Sequence, residues 1–421
     1  MKRWIAALLS AVLLLSVSGA ALAADPDTVE ISSAEDLAEL SALCTSDAWS
    51  EGKTIVLTRD ISLTGCDFSP IPLLSGTFDG RGHSILGISL DGDASTQGLF
   101  RMVLKTGVVK NLTVSGTLRA TGNGENIGGI AGVNYGAIEN CRFDGDILAQ
   151  AAAGGIVGLN QEGALVSECK TSGSISAYHR VGGIAGENCG VLSECENRMS
   201  VNTDYIAVEK PDQKKSFDIS TLTLNEETII DITDLGGIAG LNTSVIKYCD
   251  NYGDVGYPHT GYNVGGVAGS MAIEYDFDPE DDAAKDGKKS LNFIYTTKSI
   301  VANCKSYGIT EARKDNVGAV IGKADLGLIT DSIGCGQAKS STGSYAGGVV
   351  GHSSSTVRNS YSKATVSAEA YAGGIAGFGH VIRSCGGLAY ITDCDEFAGG
   401  IAGAYYKRTV ENEKDLLKRY L

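Results

Sequence analysis

One five-residue string returns along this chain and limits what it can fold into. It reads GGIAG at Gly128–Gly132, GGIVG at Gly154, GGIAG at Gly182 and Gly236, GGVAG at Gly265 and GAVIG at Gly318. It closes as GGVVG at Gly347 and GGIAG at Gly373 and Gly399. Successive starts lie 26, 28, 54, 29, 53, 29, 26 and 26 residues apart, so two intervals are close to double the rest. A fixed period of this length marks a solenoid, in which each repeat is one turn of a quasi-linear stack. That pattern outweighs the two or three domains that 421 residues would otherwise suggest.

Each repeat has a second half. Ile138-Glu139-Asn140-Cys141 returns as Val166–Cys169, Leu192–Cys195, Ile246–Cys249 and Val301–Cys304, then as Ile329–Ser332, Val357–Ser360 and Ile382–Cys385. The first position is always aliphatic and is expected to face inward. The second varies (Glu139, Lys247, Arg358, Arg383) and is expected to face water. The fourth is Cys or Ser. After it the pattern has period two, with Cys141, Phe143, Gly145 and Ile147 on one face, as in a strand. The aliphatic residue and the Cys are an odd number of positions apart. Both face inward only if the chain bends between them, and Asn140, Asn303, Asp331 and Asn359 suit a left-handed bend. Coils of strand, bend, strand, turn and strand, rising about 4.8 Å each, make a parallel β-helix. The glycines let the coil walls approach across a narrow core.

The long intervals come from two insertions, at about 203–232 and 272–298, expected to bulge from otherwise normal coils. Residues 54–404 are assigned to the β-helix and 24–53 to an N-terminal cap region. There Ser32–Glu35 matches a capping box and Leu37, Leu40 and Leu43 follow at helical spacing, so 33–45 reads as a short capping helix. Residues 405–421 form a tail. Val410, Leu416, Leu417, Tyr420 and Leu421 fall roughly on one helical face there, which suits a second cap near 410–420.

Residues 1–23 read as a secretory signal peptide, with Lys2 and Arg3 before an apolar run and Ala21-Leu22-Ala23 at the cleavage site. The expected mature chain starts near Ala24 and is secreted, or held at the cell surface. Loss of Lys2 and Arg3 takes the net charge from −16 to −18. An acidic surface argues against nucleic acid and anionic membranes as partners. No later segment is apolar for long enough to insert in a membrane as a helix. The partner expected is an extracellular ligand, a host surface protein or a glycan, met by a monomer.

The GG-aliphatic-x-G strand followed by the I-x-N-C strand resembles the GLUG motif. That resemblance covers about residues 54–403 and includes the leader GTFDGRGHSILGISL at 76–90. It implies a right-handed parallel β-helix, all-β apart from the cap, of the kind found in bacterial secreted and surface proteins. Adhesin-like proteins and the non-catalytic region of IgA-cleaving metallopeptidases are among them. Relatives often carry a wall-sorting signal or surface-layer anchor, and neither pattern occurs up to Leu421.

No residue is assigned to catalysis, a cofactor or a metal. His83, His179, His259, His352 and His380 are scattered and none sits in H-E-x-x-H. Asp276, Asp278, Glu280, Asp281, Asp282 and Asp286 lack the spacing of a calcium loop and read as a solvated acidic loop. Asp79-Gly80-Arg81-Gly82-His83 reads as a turn between coils. Asn111-Leu112-Thr113 spells a glycosylation sequon but lies at a strand. The rival reading is a polysaccharide lyase or glycoside hydrolase, which needs carboxylates clustered on one outer face. The outward column Glu139, Ser167, Ser193, Lys247, Ala302, Thr330, Arg358 and Arg383 stacks no acid pair. The expectation is therefore a non-catalytic, adhesin-like scaffold. Cys141, Cys169, Cys195, Cys249, Cys304 and Cys385 are expected to stay free thiols, because side chains stacked in register point the same way.

Overall fold

The bend demanded by the odd aliphatic-to-cysteine spacing is present in coil after coil. Asn111, Asn140, Glu168, Glu194, Tyr248, Asn303, Asp331, Asn359 and Ser384 all have φ between 47° and 57°. Side chains rarely adopt this left-handed region, and Asn and Asp tolerate it best. Here Glu, Tyr and Ser accept it too, because the stack on both sides fixes the backbone.

The computed structural model describes residues 27–121, 126–203, 233–258, 261–272 and 299–405, and the backbone of a small antiparallel pair, Phe217–Asp218 with Leu224–Thr223. The expected signal peptide, most of both insertions, the expected acidic loop at 276–286, His259 and the tail from 406 lie outside these residues. Among the described residues the chain winds as a parallel β-solenoid of about 11 turns. Each coil visits four sheets in order. One coil runs through Ala137–Glu139, Arg142–Leu148, Ala153–Gly154 and Val157–Asn160, then starts again at Leu165–Ser167. The four sheets hold 12, 16, 10 and 11 strands.

Register is kept across both insertions. Glu196 pairs with Asp250 and Gly182 with Gly236 on either side of the first. Val245 pairs with Ile300 across the second. The aliphatic ladder Ile130, Ile156, Ile184, Ile238, Val267 and Val320 is fully buried. Beside it a Cβ on Gly129 would collide with the Phe143 ring across the core and the Gly155 carbonyl of the next coil. Only glycine permits that approach.

The cysteine rungs are buried along most of their length and all eleven cysteines are free. Each ladder thiol donates to the carbonyl two residues back, as Cys141 does to Glu139 at 3.3 Å and Cys169 to Ser167 at 3.2 Å. Burial pushes the Cys169 and Cys249 thiols well above the ordinary range.

A second polar ladder crosses the core. The Asn134 amide donates to Asn160 at 3.0 Å, Asn160 to Asn188 at 2.8 Å and Asn188 to Asn242 at 2.7 Å, all fully buried. Every rung satisfies its neighbour, so the burial of polar groups is compensated.

At the N-terminal end, strand Thr28–Ile31 already pairs with Thr54–Leu57, so sheet pairing begins before residue 54. The helix between them is Ala34–Leu43. Its N-cap is Ser33, whose Oγ accepts from Asp36 N at 3.2 Å, one position later than the capping box suggests. Leu37 and Leu40 enter the core, and Leu43 is exposed because the helix ends there. The Asp79–His83 turn lies within one coil, at the corner between the first two sheets, with Arg81 and Gly82 left-handed. Asn111 stands at the same corner, where Asn140 donates to it at 2.9 Å.

Candidate functional site

Strand alternation decides which side chains the second sheet shows to solvent. Past each bend, residues alternate between inward and outward, as in exposed Lys305, buried Ser306, exposed Tyr307, buried Gly308 and exposed Ile309. Parallel pairing then lines up outward residues from distant parts of the chain. Lys170, Glu196, Asp250, Lys305, Ile333 and Tyr361 form one column.

The face changes character along the axis. The early coils are polar and internally paired: Arg142 Nε lies 2.6 Å from Asp144, and Ser174 donates to Asp146 at 2.7 Å. The hydrogen bonds of Arg142 and Ser172 hold the Asp144 carboxyl below the usual range against its burial. From Arg198 onward aromatic and aliphatic residues join the face, among polar neighbours such as Asp250, Lys305, Gln337 and Lys339. The Arg198 guanidinium sits 4.4 Å over the Tyr252 ring, and Tyr252 stacks on Tyr307 at 4.9 Å with planes 4° apart. Ile309, Tyr361 and Tyr390 continue the exposed apolar surface. Burial raises the Tyr307 phenol.

Beneath this ridge two carboxylates stand in register, Glu196 and Asp250. Glu196 is held by Arg198 Nε at 2.6 Å and Lys170 Nζ at 3.8 Å. Burial raises the Asp250 carboxyl; Lys305 opposes the shift and Glu196 adds to it. Spacing within one repeat does not reveal this acid pair. The column before the bend, whose register is as expected from Glu139 to Arg383, stacks none. The pair lies one strand further on, its members 54 positions apart in sequence.

A second aromatic array lies where the third and fourth sheets meet. Tyr345, Tyr371 and Phe397 stack at 5.3 Å intervals, and His352 stacks on Phe378 at 4.6 Å. Further up the same groove Arg180 bridges to Glu187 at 2.8 Å. Burial, then Lys323, lowers the His352 imidazole. His83 lies at the first corner, 3.4 Å from Asp60. Among the described residues His83 and His352 thus lie on different parts of the coil.

Among the described residues no helix is long and apolar enough to cross a membrane. A family model described as the GLUG motif matches residues 123–148, one coil of the stack. Halomucin of Haloquadratum walsbyi is 28% identical over 151 residues, which is 32% of this chain and 2% of that protein. The chain thus spans a small fraction of the relative it matches. A crystal structure of a candidate immunoglobulin A1 protease from Bacteroides ovatus aligns over 93% of this chain and 87% of that one, at 14% identity and a TM-score of 0.33. The matched coil carries the string, the bend and the Cys-or-Ser rung that recur in the coils stacked on it: the chain is a GLUG-motif repeat protein.

Proposed function

We propose that this chain is a secreted or cell-surface β-helical scaffold that binds an extracellular ligand, adhesin-like in action and without catalytic activity. The observation that carries the reading is the second sheet's outer face, where the Arg198–Tyr252–Tyr307 ridge stands exposed among polar residues. Tyr and Arg on a rigid surface are the residues that dominate protein recognition sites. The match to halomucin supports placement outside the cell. Probing glycan and protein arrays with the purified chain tests the proposal. Binding that drops with Tyr252→Ala plus Tyr307→Ala, at unchanged circular dichroism, supports it; binding indifferent to both overturns the role of this face.

One observation favours a second reading, a polysaccharide-cleaving enzyme: the in-register pair Glu196 and Asp250, with Asp250 shifted toward its protonated form. Against it, Glu196 already engages Arg198 and Lys170. Release of reducing or unsaturated ends from a polysaccharide, lost in Asp250→Asn, would replace the scaffold reading.

A further inference from the structure

The solenoid's two ends differ. At the first, the helix Ala34–Leu43 lays Leu37 and Leu40 against the core, and both are fully buried. At the other, the strands Val381–Arg383, Phe397–Gly399 and Ala402–Tyr405 are the last in their sheets among the described residues. Among those residues nothing covers the core cross-section there. Ile401 is 45% exposed where its counterpart one coil earlier, Ile375, is 1%. Ile382 and Cys385 are only partly buried, whereas Val357 and Ser360 before them are fully so. Phe397 ends the aromatic stack with one ring face uncovered and is 55% exposed. An open β-edge with an apolar section beside it is a pairing and aggregation hazard.

We infer that residues 406–421 of this chain cover the open end. They follow Tyr405 directly, at the place where the stack stops. Their apolar members Val410, Leu416, Leu417 and Leu421 provide what Leu37 and Leu40 provide at the other end. Charge is complementary as well. The last coil, from Val381 to Tyr405, carries Asp393, Asp395 and Glu396 against Arg383 alone, while residues 406–421 hold five basic and three acidic residues. The same acidity opposes docking of two such ends from two copies.

Cys385 reports on the cover, because it is the inward thiol of the last coil. Its alkylation is followed by peptide mass spectrometry on the native full chain and on a chain ending at Tyr405. The full chain should react at least about tenfold more slowly, since a thiol's rate follows its access. Adding a peptide of residues 406–421 in trans should restore protection to the shortened chain. If that chain does not fold, the full-length Leu416→Asp, Leu417→Asp variant decides, and it too should expose Cys385. Equal rates in the full chain and in whichever comparison form folds overturn the inference. So does protection that rises with protein concentration together with dimer formation, since the cover would then be a second copy.

Discussion

The Cys304 amide donates to Ser332 Oγ in the next coil at 3.2 Å, and the Cys195 amide donates to Cys249 Sγ at 3.4 Å. Ser332 Oγ in turn donates to the Thr330 carbonyl, as Cys304 Sγ does to Ala302. Cysteine and serine thus do the same work at this rung. The left-handed bend directs the next amide away from the ordinary ladder, and a small side chain of the following coil accepts it.

That equivalence sets the tolerance of the ladder. Cys249→Ser should melt within a few degrees of the parent. Cys249→Val fills similar space but removes the acceptor for the Cys195 amide, and an orphaned buried donor costs about 1–3 kcal/mol. Urea denaturation should rank Val well below Ser. Thiol counting on unfolded, unreduced protein should find at least six free thiols.

The asparagine ladder should be less forgiving. Asn188 accepts from Asn160 and donates to Asn242 and, at 3.2 Å, to the Val245 carbonyl. Asn188→Leu leaves those buried groups unpaired together, and each costs about 1–3 kcal/mol. The substitution should therefore exceed Cys249→Val in its effect on the midpoint. A change no greater than that of an exposed site such as Lys363 would contradict the ladder's role.

Acid should loosen the groove between the third and fourth sheets. Burial lowers both His352 and His179 below their unfolded values, so the unfolded chain takes up protons first. Stability from these groups is full above the unfolded value of about 6.5 and falls as pH drops through it toward the folded values. For His352, the nearby Asp315 and Asp325 temper the shift and Lys323 deepens it. His352→Phe, which keeps the stack on Phe378, should flatten the decline of melting temperature between about pH 6.5 and pH 5.

How far this was readable from sequence depended on whether a feature lives within one coil or between coils. The bend at Asn140, the inward Cys141 and the outward Glu139 follow from spacing inside one repeat. Asn134, Asn160, Asn188 and Asn242 each stand two residues after the last glycine of the string, so their recurrence was visible. An isolated asparagine reads as a turn or surface residue, and only its neighbour above makes it a core residue. The Tyr252–Tyr307 stack and the Glu196–Asp250 pair were harder still. Each joins residues more than 50 apart across an insertion, and a one-residue error in register would turn every side chain to the opposite face.

Because that register builds the candidate binding face, cross-linking across the first insertion tests the account most directly. Glu196→Cys combined with Asp250→Cys places two outward thiols in adjacent coils, about 4.8 Å apart at Cα. Glu196→Cys with Lys305→Cys places them two coils apart. A short bifunctional thiol reagent, with the bridged peptides mapped by mass spectrometry, should link the first pair efficiently and the second hardly at all. Failure of the first pair to link, or equal yields from both, would contradict the continuous in-register stack.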